Sequence, residues 1–129
     1  VLLTSLTQQD AMWWAGSTAI PTNATTTNTH LGFCLQDGTL YASNANSTTQ
    51  TKTDISSGIT LTDYNFYRIE WIAATSAKFY VNGTLKATHT TNLPTATGAG
   101  VAVGIISTES SGKEMDVLNF PYVINTNYF

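Results

Sequence analysis

A chain of 129 residues is the size of one ordinary domain, and roughly two-thirds of its unfolded surface can be buried without help from disulfides or metal. Charged residues supply only 10% against an apolar share of 42%, and 24 Thr, 10 Ser and 10 Asn fill the difference, which excludes the low-hydrophobicity, high-charge composition of a disordered chain. A net charge of −3 with five basic residues excludes a phosphate-reading surface and so nucleic acid, and no apolar run approaches the roughly 20 residues of a membrane span. Val1 at the start implies a processed or cut chain, and Val1-Leu2-Leu3 is too short for a signal peptide.

Helical periodicity is almost absent, and frequent β-branched Thr lowers helix propensity throughout. Strand signals are short and many. Leu2 to Leu6 and Asp10 to Ala15 read as the first two, followed by a polar loop from Gly16 to His30. His30 to Gln36 alternates as a strand, Asp37-Gly38 is a hairpin turn requiring positive φ, and Leu40 to Asn44 returns. Cys34 lies opposite to Leu31, Phe33 and Leu35 in that alternation and reads as a half-buried small residue. Ala45-Asn46-Ser47 turns the chain into a polar, edge-like strand, Thr48 to Ile55. Asn65 to Ala73 sets Tyr67, Ile69 and Trp71 against Arg68, Glu70 and Ile72. Lys78 to Val81, Asn82-Gly83 and Thr84 to Thr90 form the clearest hairpin, with Phe79, Val81 and Leu85 expected in the core. Pro94 ends it, Val101 to Ile106 is an apolar strand, Ser110 to Lys113 a turn, and Glu114 to Ile124 the last strand. Nine or ten strands at this spacing predict a single domain over residues 1–129, an all-β antiparallel β-sandwich.

Three segments carry a resemblance. Tyr67-Arg68-Ile69-Glu70-Trp71, then Lys78 to Leu85 around Asn82-Gly83, then Ala87 to Pro94, resemble concanavalin A-like lectin/glucanase domains. They are most similar to the laminin-G-like modules of phage tail and virion proteins and of bacterial surface proteins. His30 to Phe33 with Gly38 to Ser43, and Asp54-Ile55 with Gly58 to Thr62, resemble the preceding hairpin, so the likeness covers roughly residues 30 to 124. It implies a jelly-roll sandwich. Domains of this class are usually longer, which implies one or two N-terminal strands missing here and an edge left for a neighbouring chain to cover.

Glucanases of that superfamily carry paired carboxylates on one strand face. The nearest imitation is Glu114-Met115-Asp116, with Leu118 where a third would stand, and a pair beside Lys113 reads as solvated surface. No catalytic residue is expected. His30 and His89 are isolated and read as satisfied strand residues, and Asp37, Asp54 and Asp63 are scattered, so neither a metal nor another cofactor is expected. Asn23, Asn46 and Asn82 open glycosylation sequons that a Thr- and Asn-rich chain produces by chance.

The aromatics say more. Trp13 and Trp14 are neighbours on one strand and so point to opposite faces, and the outward indole needs a partner. Sugar C–H faces stack on such rings while amides bind hydroxyls. The expected ligand-binding platform is therefore Trp13 or Trp14 with Tyr41, Asn44 and Asn46. The function expected is a non-catalytic recognition or adhesion module on a phage fibre, virion or bacterial cell surface, meeting a glycan or cell-surface polysaccharide through weak, repeated contacts. The alternative is a structural or decoration module whose partners are copies of itself or other virion proteins. A glycoside hydrolase relic ranks below both.

Overall fold

The computed structural model describes residues 25–95 in full, together with the backbone strands Leu2–Leu3, Gln9–Ala15, Val101–Ser107 and Met115–Asp116. Strands β1 (Leu2–Leu3), β2 (Gln9–Ala15), β3 (His30–Gln36), β4 (Thr39–Ala45) and β5 (Gln50–Asp54) are followed by β6 (Tyr67–Ile72), β7 (Ser76–Val81) and β8 (Thr84–His89). β9 (Val101–Ser107) and β10 (Met115–Asp116) complete the set. The described residues are all-β, every pairing is antiparallel, and no helix occurs among them. The strands form a five-stranded sheet in the order β5-β4-β3-β2-β9, a three-stranded sheet β6-β7-β8, and a separate β1-β10 pair. The remainder of the expected strands Leu2 to Leu6 and Glu114 to Ile124, and the Gly16 to Ala24 part of the expected loop, lie outside the described residues.

Two-residue turns fix the hairpins. Asp37 and Gly38 have φ of 46° and 85°, and Asn82 and Gly83 have φ of 51° and 80°. This double left-handed geometry matches the twist of the strands it joins. Ile55 and Leu61, both buried, anchor the connection that carries the chain from one sheet to the other.

The two sheets share one core. Leu31, Phe33, Leu35, Leu40 and Ala42 of the larger sheet meet Ala77, Phe79, Val81 and Ala87 of the smaller. Tyr67, Ile69 and Trp71 pack against this cluster half-buried, at the rim of the core. Tyr67 lies 4.9 Å from Phe33 between ring centroids, and burial pushes its hydroxyl pKa up.

Two expectations need correction. Leu85 is not a core residue but 49% exposed. The β7–β8 register runs from Phe79↔Ala87 to Tyr80↔Leu85, so Lys86 is an extra residue, a β-bulge. One inserted residue reverses the pleat, turning Ala87 and His89 inward and Leu85 outward with Tyr80. Cys34 is fully rather than half-buried, because β3 is enclosed on both faces from His30 to Leu35.

Candidate functional site

The expected platform divides between faces. In the register of the five-stranded sheet, Trp13 stands in the row of Phe33 and Val103, the row that belongs to the core. Trp14 stands in the row of Gly32, Ala102 and Ser43, on the opposite face. The side chains of both tryptophans lie outside the described residues. Tyr41 pairs with Cys34 and shares Trp14's face, where the Lys52 ammonium sits 4.2 Å from its ring centroid and donates to Gln36 Oε1. Asn44 pairs with Leu31 and faces the core. It cannot join Tyr41, because residues an odd number apart on a strand point to opposite sides. Asn46 is exposed, but its Oδ1 accepts from Thr48 N, Thr48 Oγ1 and Thr49 N, holding the β4–β5 turn. The structure thus brings together Tyr41 and the Trp14 row, and does not bring Asn44 or Asn46 to them.

Asn44 has an internal task. Its Nδ2 donates to the carbonyls of Thr91 (3.0 Å) and Asn92 (2.7 Å), and its Oδ1 accepts from His89 Nδ1. The neutral His89 ring then accepts at Nε2 from Thr53 Oγ1 (2.8 Å), and Asn92 Nδ2 donates to Thr51 Oγ1 (3.0 Å). This seam joins β4 and β5 to the end of β8 inside the sandwich-like core. Burial lowers the His89 pKa.

A second enclosed group lies on the opposite face of the larger sheet. His30 and Ser43 are both fully buried. The His30 ring donates from Nδ1 to the Asn28 carbonyl (2.6 Å) and accepts at Nε2 from the Ser43 hydroxyl (2.8 Å). Gln50 Nε2 donates to Ser43 Oγ (2.9 Å), while Gln50 Oε1 accepts from the Thr26 backbone N–H (3.1 Å). Burial lowers the His30 pKa from 6.5 to about 4, partly opposed by the Asn28 carbonyl. Both histidines thus use both ring nitrogens internally, and no group of three metal-ligating side chains occurs among the described residues.

The accessible chemistry lies on the smaller sheet, on the outward face of β6 and the segment before it. Asn65 is buried and donates from Nδ2 to the carbonyls of Thr60 and Asp63 (2.9 Å each). Its Oδ1 accepts from Asn82 Nδ2 (2.8 Å), and Asn82 Oδ1 accepts from Phe66 N (2.8 Å). The hairpin turn therefore clamps the preceding segment with Asn65 inward and its neighbours outward. Tyr64 is 50% and Phe66 56% exposed. Along β6 the outward row continues as Arg68, Glu70 and Ile72. The Arg68 guanidinium lies 4.0 Å from the Tyr80 ring centroid and bridges to Glu70, and the Tyr80 hydroxyl donates to Glu70 Oε2 (2.8 Å). That bond, chiefly, holds the Glu70 pKa below its ordinary value. The signal that could have found this face is the appearance of Phe66 and Ile72 in an otherwise polar alternation.

The chain matches no family model and no curated protein.

Proposed function

We propose that this chain is a non-catalytic recognition module of an extracellular, virion or bacterial surface, that its two sheets form a concanavalin A-like jelly roll, and that it holds glycans weakly and in many copies. One observation carries the reading. Two exposed aromatic rings, Tyr64 and Phe66, stand two residues apart at the head of an outward row of planar polar groups, Arg68 and Glu70. Aromatic faces stack on sugar C–H surfaces, and a guanidinium and a carboxylate bind neighbouring hydroxyls through paired hydrogen bonds. Tyr41, half-buried beneath the Lys52 ammonium, is a second and smaller candidate platform. One such site supports only millimolar to high-micromolar affinity, roughly −4 to −6 kcal/mol, so useful adhesion requires several copies.

The experiment is a glycan array with the chain displayed multivalently, followed by titration of the strongest glycan with Tyr64→Ala, Phe66→Ala and Tyr41→Ala. Loss of binding in the first two supports the reading. Absence of any glycan binding, or binding untouched by all three, overturns it. Ile72 and Leu85, 63% and 49% exposed on the same sheet face, favour a second reading in which that face meets another subunit. In that case Leu85→Ser breaks an oligomer seen by light scattering and leaves no sugar-dependent signal to lose.

A further inference from the structure

We propose that Ser43 and Gln50 react with each other inside the folded chain, forming a side-chain ester that ties β4 to β5 and releases ammonia. A serine–histidine pair that solvent does not reach cannot serve an outside substrate. Its acyl group must already be within, and the Gln50 carboxamide touches the serine oxygen.

Every part of an acyl transfer is in place. Ser43 Oγ is the nucleophile, and His30 Nε2 at 2.8 Å is the base. The Asn28 carbonyl at 2.6 Å fixes the tautomer that leaves Nε2 able to accept a proton, the part a carboxylate plays in a catalytic triad. The Thr26 N–H at 3.1 Å faces Gln50 Oε1, the oxygen on which negative charge develops. A turn held by Asn28 N donating to Thr26 Oγ1 (3.2 Å) presents that N–H and the Asn28 carbonyl from one short segment. Diagonal register brings the side chains together, since Ala45 pairs with both His30 and Gln50 and Ser43 lies two residues before it on the same face.

The step balances without a co-reactant. As Oγ adds to Cδ of Gln50, His30 Nε2 takes the hydroxyl proton. The imidazolium then gives that proton to Nε2 of Gln50, the C–N bond breaks, and ammonia leaves. A hydroxyl and a carboxamide have become an ester, with no change of oxidation state. The resting hydrogen bond from Gln50 Nε2 to Oγ keeps the leaving nitrogen beside the proton's path, and a shift of the Gln50 side chain about its Cα–Cβ and Cβ–Cγ bonds brings Cδ onto Oγ with Oε1 still toward the Thr26 N–H. Burial keeps His30 neutral, which makes it a weak base but its imidazolium a strong acid toward the leaving nitrogen. The reaction is accordingly slow, which a single event per molecule tolerates because folding holds the reactants together at high effective molarity.

Intact-mass measurement of the denatured chain tests the proposal. Aged wild-type protein is expected to be lighter than its sequence by one ammonia. Fragmentation should give no ions from backbone bonds between residues 43 and 50, and hydroxylamine should open the link to leave a hydroxamate at residue 50. Ser43→Ala should retain the full mass and Ser43→Thr should still lose ammonia. Ser43→Ala also separates this loss from succinimide formation at Asn82-Gly83, which releases ammonia but does not depend on Ser43. Wild type that keeps its full sequence mass after prolonged incubation overturns the proposal, as does a Ser43→Ala chain that loses as much ammonia as wild type. A glycan-binding failure would leave this result untouched, because the two sites share no residue.

Discussion

The rings of Phe33 and Phe79 meet edge to face across the two sheets, with centroids 5.6 Å apart and planes at 87°. Both residues are buried essentially completely, so this contact is one of those that fasten one sheet to the other. Phe79→Ala is expected to cost about 3–5 kcal/mol, the loss of a large side chain together with the void it leaves. Equilibrium unfolding in urea measures it.

The bulge at Lys86 predicts opposite outcomes for two leucines. Leu40→Ala, at a fully buried site, should destabilise by about 2–5 kcal/mol. Leu85→Ala should stay within about 0.5 kcal/mol of wild type in the monomer, as surface changes do. Equal effects would mean that the β7–β8 register is continuous.

His30 makes stability depend on pH. Its pKa is about 4 when folded against an ordinary 6.5, so below 6.5 the unfolded chain binds a proton that the folded chain refuses. Stability from this group is fully present above pH 6.5 and is lost as pH falls toward 4. The total is on the order of 3 kcal/mol at 1.36 kcal/mol per pKa unit, and His89, shifted the same way, adds to it. Denaturant midpoints between pH 7.5 and 4 report the loss. In the NMR titration of the folded protein, a His30 ring signal that moves at its ordinary pH would contradict the burial.

Asn44→Ala should destabilise strongly, by about 2–4 kcal/mol, because it leaves His89 Nδ1 and the carbonyls of Thr91 and Asn92 without their partner inside the protein. The same substitution should leave glycan binding by the folded fraction unchanged. Thermal melts paired with array binding separate the two.

Trp71 carries a buried indole N–H with no acceptor among the described residues. Trp71→Phe removes that orphan donor and keeps most of the ring, so its cost should fall well below that of Trp71→Ala. Comparing the two melting temperatures checks it.

Local rules made much of this fold readable. Asp37-Gly38 and Asn82-Gly83 name their own turns, and the alternation of Tyr67, Ile69 and Trp71 picks the inward face of β6. Reading failed where geometry is set by a partner strand. Nothing local to Leu85 shows that the strand opposite skips Lys86, and only that skip turns Leu85 outward. The separation of Tyr41 and Asn44 was legible from their odd spacing alone. His89 and Thr53, 36 positions apart, meet only once the sheets are stacked, so the seam that claims Asn44 has no signature in sequence. The exposed Tyr64 likewise depends on a clamp from the distant Asn82 to Asn65.

The strand order β5-β4-β3-β2-β9 has a consequence for how the molecule is made. β2 through β5 form one meander of consecutive strands, and β6 through β8 another, so each can assemble as soon as it leaves the ribosome. β9 cannot; it must travel back past both to reach β2, in a register running from Gln9↔Ser107 to Ala15↔Val101. Joining segments so far apart in sequence is the slow kind of step. Until synthesis reaches β9, the side of β2 that it will occupy offers seven residues of backbone to any β9-like strand nearby, including one from a neighbouring nascent chain. Crowded translation of this chain therefore favours exchange of β9 between molecules, and slowing initiation should raise the yield of monomer.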